Sequence, residues 1–415
     1  MEGRAGQAGT PARAPVFTAA PHRMMFLAGA LQMVAALLFW GVELAARYGM
    51  MPAPRTQIPA AFAHLFLMVY GLFPLFFLGF LMTTYPRWMN GEAIPRRRYV
   101  RSFLLLTGGL ALFYAGLFSA RTLLGAGAAL YLAGWVTALH ALLQVFAAAP
   151  ARDKFYERLL NAALVAGAAG MAAYVLWVFD GRVGMLRFAR EAGLWWFLVP
   201  VAVTVAHRMI PYFSNVVLRP YTVYQPRRAL LAMLGCSFAH GALAAAGLHR
   251  WTWPADLVFF ALAANHSRHW ELLRSFRVRL LAVLHVAFAW CPVALALYTV
   301  QGFWLWETGR MVLGLAPLHA LGIGFLTGLV VAMATRVTLG HSGRALTADT
   351  FTWICFWGVG LTALVRIAGA IAPGARPGGL ALNVLAALAW LLFLGAWVLR
   401  YAPLYLRRRV DGKPG

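Results

Sequence analysis

The sequence predicts an all-α, polytopic integral membrane bundle of about twelve transmembrane helices. Three observations predict it. Of 415 residues, 62% are hydrophobic and only 12% are charged, and the mean hydropathy is +0.71, which excludes a soluble globular domain. Twelve apolar runs approach the ~20 residues that cross a bilayer. The basic residues between those runs fall mostly in alternate loops.

Residues 1–23 are polar, basic and rich in Pro, Ala and Gly, the composition of a mobile cytoplasmic tail. One transmembrane domain follows over 24–405, and a basic cytoplasmic tail over 406–415. The runs lie at 24–46, 58–83, 102–120, 123–148, 157–179, 191–211, 229–247, 254–273, 279–299, 309–334, 350–372 and 379–403. The first exceeds the apolar core of a signal peptide and lacks a clear cleavage site, so it is expected to stay as a helix. Only Ser119, Arg121 and nearby glycines divide the third run from the fourth. The loops near 86–101 and 212–228 are too short to fold alone, and no internal repeat is visible.

The net charge of +24 would suggest nucleic acid in a soluble protein, but its placement argues otherwise. With twelve spans, 25 of the 36 Lys and Arg fall on the side of the termini, 9 on the other, and Arg208 and Arg366 within spans. By the positive-inside rule that side is cytoplasmic, with both termini inside. Basic loops meet anionic membrane lipids, and no nucleic-acid partner is required.

An imidazole in lipid is costly unless hydrogen-bonded or bound, so intramembrane histidines are functional candidates. His240, His266, His285 and His319 each read as lying near the middle of a different span, the seventh to the tenth. Facing helices of a bundle grip cofactors in this way. Paired imidazoles suit haem, and imidazoles also suit copper or zinc. His64 sits about two turns into the second span, His140 and His207 lie in inner halves, and His269 is one turn from His266. His22 and His249 read as interfacial. The alternative is that each ring merely hydrogen-bonds across a helix pair.

The richest stretch runs from Pro317-Leu-His-Ala-Leu-Gly-Ile-Gly to Ala334-Thr-Arg-Val-Thr-Leu-Gly-His-Ser-Gly-Arg344. It supplies His319 and His341, with Arg336 and Arg344 suited to anionic groups such as haem propionates. Acids are few, 12 in all, and sit in loops or at span ends, whereas proton-coupled carriers place them centrally. Cys236, Cys291 and Cys355 form no C-x-x-C, and read as small buried hydrophobes.

These motifs resemble the NnrS family, polytopic bacterial membrane proteins described as containing haem and copper and linked to nitric oxide metabolism. The family's R-x-x-L-G-H-[TS]-G-R is similar to Arg336–Arg344 here. Its G-R-x-[IV]-P-x-F resembles His207-Arg-Met-Ile-Pro-Tyr-Phe213, with Arg208 at the Arg. Its R-x-x-R-W and later Leu-His resemble Arg268-His-Trp270 and Leu284-His285. Its H-x-H-E, G-F-L-L-T and P-N-W resemble His64–Leu67, Gly79–Thr83 and Pro86–Trp88. There the chain departs: Phe66 and Leu67 replace the second His and the Glu, and neither side chain can ligate a metal.

The resemblance implies a haem, of b-type, and copper in the cytoplasmic membrane of a bacterium, and a part in nitric oxide response under nitrosative stress or denitrification. His285 and His319 are the expected axial or copper ligands and are expected to approach each other. His64, His341, His240 and His266 are further metal candidates, with Arg208, Arg336 and Arg344 on the cofactor's anionic groups. The lost polar groups at 66 and 67 imply retained haem with weak copper. Competing readings are a secondary transporter or channel without redox metal and a protein that handles metal cofactors. Catalytic turnover is not indicated by any motif.

Overall fold

The computed structural model describes residues 16–412 except 373, 376, 378 and 379. Of the two expected tails, residues 1–15 and 413–415 lie outside the described residues. The described residues form helices and no strand.

Twelve helices follow in order: α1 Pro21–Arg47, α2 Ala60–Trp88, α3 Arg96–Phe118, α4 Arg121–Ala148, α5 Phe155–Asp180, α6 Val183–Val217, then α7 Arg227–Ala245, α8 Trp253–His269, α9 Arg279–Thr308, α10 Ala316–His341, α11 Thr350–Ile371 and α12 Leu382–Tyr405. All but α8 are long and apolar enough to cross a membrane, 11 in number. At 17 residues α8 meets the lower limit of about 17–25 for a span.

Hydrogen bonds tie the helix ends into two layers. At one end Arg23 of α1 donates to the carbonyls of Tyr405 and Arg407. There too Arg409 donates to His341 O, and the amide of Ala151 reaches Met89 O. At the other end Asn383 joins Tyr48 to Arg366, and Tyr174 donates to Phe62 O. The first end also holds Arg96–Arg98, Arg227, Arg228 and Arg279, at the starts of α3, α7 and α9; it is the basic end.

Three helices occupy the centre. In their most apolar stretch α2, α6 and α10 are 78%, 78% and 83% buried, against 33–67% for the other eight long helices. A helix apolar on all sides must be surrounded, and these meet around a small apolar gap. Phe76, Phe80, Val201, Ala202, Leu329 and Met333 line it.

Each central helix also contains one π-helical stretch: Phe66–Leu72, Ala192–Leu198 and Ala320–Thr327. The wider turn loosens the i→i−4 ladder, and lipid offers no water to satisfy a freed carbonyl. A polar side chain reaches a carbonyl in every case. Gln32 donates to Leu67 O at 3.1 Å, Ser237 to Trp195 O at 2.5 Å and Thr327 to Gly322 O at 2.9 Å. The device recurs at every fourth helix.

Boundaries correct three expectations. The tenth run was expected at 309–334, but α10 spans Ala316–His341. Gly309 and Gly314 adopt φ of +69° and +53°, which turns the apolar Met311–Leu315 into a loop. Secondly, α1 starts at Pro21 and buries His22 and Arg23, which the sequence assigned to a mobile tail. Finally, α8 stops at His269, before Glu271 at φ +63°, short of the expected 273.

Candidate functional site

The four histidines expected at mid-depth do not share a level. His319 lies in the first turn of α10, far from the basic end, whereas His285 lies two turns into α9 at the basic end. Their helices run antiparallel, so similar distances from two N-termini place them on opposite sides of the bundle. The expected approach of His285 to His319 is overturned. His240 lies in the last turns of α7, away from the basic end, and His266 in the last turn of α8, towards it.

His319 instead shares its end of the bundle with His64. Both sit away from the basic end on central helices, immediately before the π stretches of α10 and α2. His319 Nδ1–H donates to Leu315 O at 2.8 Å. That bond fixes the tautomer and leaves the Nε2 lone pair available, the pattern of a metal-bound imidazole. His64 stacks on Trp40, with ring centroids 4.1 Å apart and 14° between planes. Its Nδ1 is buried without a partner. Arg366 is held by Asn383 at 2.8 Å, and Arg47 lies 4.9 Å from the Trp40 ring centre. Two imidazoles and Arg366 thus lie towards this end of the bundle, where Arg47 is bonded to Glu43 at 2.9 Å.

At the basic end His341, the last residue of α10, meets His22, with ring centroids 4.5 Å apart. Thr83 receives the His22 amide at 3.1 Å. Residues 405–410 fold over this pair through Arg23 and Arg409. Arg336 is not at this pair; its guanidinium lies 3.7 Å from the Phe213 ring centre. Arg344 Nη1 is buried without a partner.

Other candidates have structural partners. Arg208 donates to Glu157 at 3.0 Å and covers Trp88 at 4.3 Å. His285 Nε2 meets Ser214 Oγ at 2.9 Å. His240 Nδ1 meets Asp256 Oδ1 at 2.6 Å, and its ring stacks on Trp195 at 3.7 Å. Asp256 and Glu157 are each buried to 1% exposure, so carboxylates counted as span-end residues lie within the protein. His266 packs against His207 with centroids 5.5 Å apart. Phe66 stacks on Phe113 at 3.9 Å and adjoins Tyr131 and Tyr174. Aromatic rings fill the place of the missing imidazole.

Sequence reasoning missed His22, Trp40 and the importance of His207. His22 stands two residues before the first long apolar run, and its burial depends on contacts from α2 and α10. No group of three or more His, Cys, Asp or Glu suited to a metal ion occurs among the described residues.

Fold and buried polar pairs define a multi-pass helical membrane protein. A family model described as NnrS protein matches residues 16–409. The chain belongs to the NnrS family. No curated protein matches it.

Proposed function

We propose that the chain is a haem protein of nitric oxide response, with haem between α2 and α10. The observation that carries this reading is the placement of His64 and His319 on two central helices at the end away from the basic one, each just before a π stretch. The donor set fits: His319 has its Nδ1–H fixed by a carbonyl and its Nε2 lone pair available, while His64 keeps a buried ring nitrogen unpaired. Arg366 supplies positive charge for a propionate, while Arg47 is already bonded to Glu43. Trp40 orients the His64 ring by stacking. Bound haem would supply a redox-active iron whose gas binding depends on its axial ligands and pocket. The nitric oxide link rests on family membership. The basic asymmetry supports a bacterial cytoplasmic membrane, with both termini cytoplasmic.

Spectroscopy of protein expressed with ample haem tests this. A Soret band that shifts on reduction is expected, lost in His64→Ala and in His319→Ala and retained in His285→Ala. A band lost only with His285, or absent from the parent protein, overturns the assignment.

A further inference from the structure

We infer that a cavity at the basic end, between the start of α5 and the end of α6, binds a guanine nucleotide. Its volume is about 360 Å³, within the range of about 300–1,000 Å³ for small-molecule sites. Neither His64 nor His319 lines it, and the inference does not rest on the haem reading. Asp153, Tyr212 and Val223 line it and are exposed. Asp153 and Val223 belong to the loops before α5 and after α6, so a ligand enters from the aqueous side, not from lipid.

The walls present acceptors for reasons set by the chain around them. Pro211 has no amide to offer His207 O, four residues earlier. Gln225 Nε2 serves that carbonyl and Arg208 O instead, both at 3.0 Å. The Gln225 amide nitrogen is thereby committed, and its carbonyl oxygen is the end left to accept. Glu157 receives Arg208 Nη1 on Oε1 at 3.0 Å, whereas its Oε2 is buried without a partner. Glu157 is 1% exposed, so bulk water does not reach it. The donor for Oε2 has to come from whatever fills the cavity, because an unmet buried acceptor is costly.

Arg208 supplies the complementary group. It spends Nη1 on Glu157 and keeps further N–H groups of its fork, with a quarter of its side chain exposed. Trp88 and Tyr156 lie against it at 4.3 and 5.2 Å, which fixes its orientation. Arginine donors beside carboxylate and amide acceptors match one nucleobase best. Guanine accepts at O6 and N7, the commonest specific arginine contact, and donates from both N1 and N2. Adenine donates from a single amine and lacks the O6 acceptor. Tyr212, 59% exposed, adds an open ring on which a base can stack. Glu157 pairs with Arg208 and Asp153 with Arg227, so the walls are neutral overall and suit an uncharged base. Arg152 and Arg228, both exposed, adjoin Asp153 and Arg227 in the chain and suit a phosphate.

Equilibrium dialysis of purified full-length protein against guanosine 5′-monophosphate tests the site, with the inosine and adenosine monophosphates in parallel. One saturable equivalent of the guanosine nucleotide is expected. Inosine monophosphate, which lacks the N2 amine, and adenosine monophosphate should each bind about 10-fold or more weakly. Tyr212→Ala removes an exposed ring, so the fold tolerates it, and should weaken binding by about 10-fold. Glu157→Gln should weaken it by about 10-fold and leave the Soret band in place. His64→Ala should remove haem and leave nucleotide binding unchanged, so the two sites fail independently. No saturable binding, equal affinity for adenosine monophosphate, or binding unaffected by both Tyr212→Ala and Glu157→Gln overturns the inference. The first outcome would leave water as the occupant of the cavity and the partner of Glu157.

Discussion

Replacing Arg208 with methionine would leave Glu157 as an unpaired carboxylate. The Glu157 side chain is 1% exposed and that of Arg208 is 25% exposed, so the acid has little water to replace its partner. Stranding a buried charge costs about 3–5 kcal/mol. Arg208 also lies 4.3 Å from the Trp88 ring centre and 5.2 Å from that of Tyr156, contacts worth roughly 0.5–2 kcal/mol in all. The folded-to-unfolded ratio should therefore fall by a factor of roughly 300 to 10⁵, at about 1.4 kcal/mol per decade. Glu157→Gln keeps an acceptor and leaves the partly exposed arginine charged, so about 1–2 kcal/mol is expected. The double variant should cost less than Arg208→Met alone, because no buried charge is stranded. Reversible unfolding in mixed micelles measures all three. Haem per folded molecule should be unchanged, which separates a packing role from the cofactor-binding role the sequence suggested for Arg208. Arg208→Met no more damaging than Glu157→Gln, or a double variant as damaging as Arg208→Met, would refute the reasoning.

Gly193→Ala should destabilise by about 1–3 kcal/mol through overpacking, since its Cβ would lie 2.6 Å from Val69 and 2.7 Å from the Tyr70 hydroxyl. Gly184→Ala meets nothing within 4 Å and should stabilise by about 0.5–1 kcal/mol; the same unfolding assay reads both, and equal effects would contradict the packing between α2 and α6. Phe66→His should lower stability by about 1–3 kcal/mol without raising metal content, because Phe113 and Tyr131 flank it; a gain of tight copper would show that ligands remain there. With an impermeant thiol reagent on intact cells, Arg55→Cys should label, while Glu92→Cys and Asp411→Cys label only after permeabilisation. The reverse pattern would overturn the cytoplasmic assignment of the basic end.

Helix count and end-to-end polarity were legible because both are local properties. Apolar length marks a span, and arginines gather at one end of the bundle. Depth was less legible, because it depends on where a helix starts, and apolar loops hide that. Met311–Leu315 is as apolar as the helix it precedes, and only the left-handed Gly309 and Gly314 separate them. The resulting shift of about two turns moved His319 from mid-depth to the helix entrance and broke its expected pairing with His285. Partnerships were the least legible. His22 with His341 and His207 with His266 join residues from distant spans, and no periodicity within one helix encodes them.

The π stretches of the central helices give a reason for where two of the histidines fall. The π stretches of α2, α6 and α10 each follow a polar residue: His64 two positions before Phe66, Glu191 directly before Ala192, and His319 directly before Ala320. A π turn inserts one residue into the helix and re-aims the side chains that precede it relative to those that follow. In α2 and α10 the re-aimed residue is an imidazole. In the third it is Glu191, 4% exposed and paired with Arg190 at 2.6 Å. A carboxylate satisfied by its neighbour has less capacity to reach across the centre. The three central helices therefore offer similar positions, and only α2 and α10 place an imidazole there. The aromatic residues at Phe66, Phe113, Tyr131 and Tyr174 fill the space beside α2. A second imidazole there would have to displace that stack.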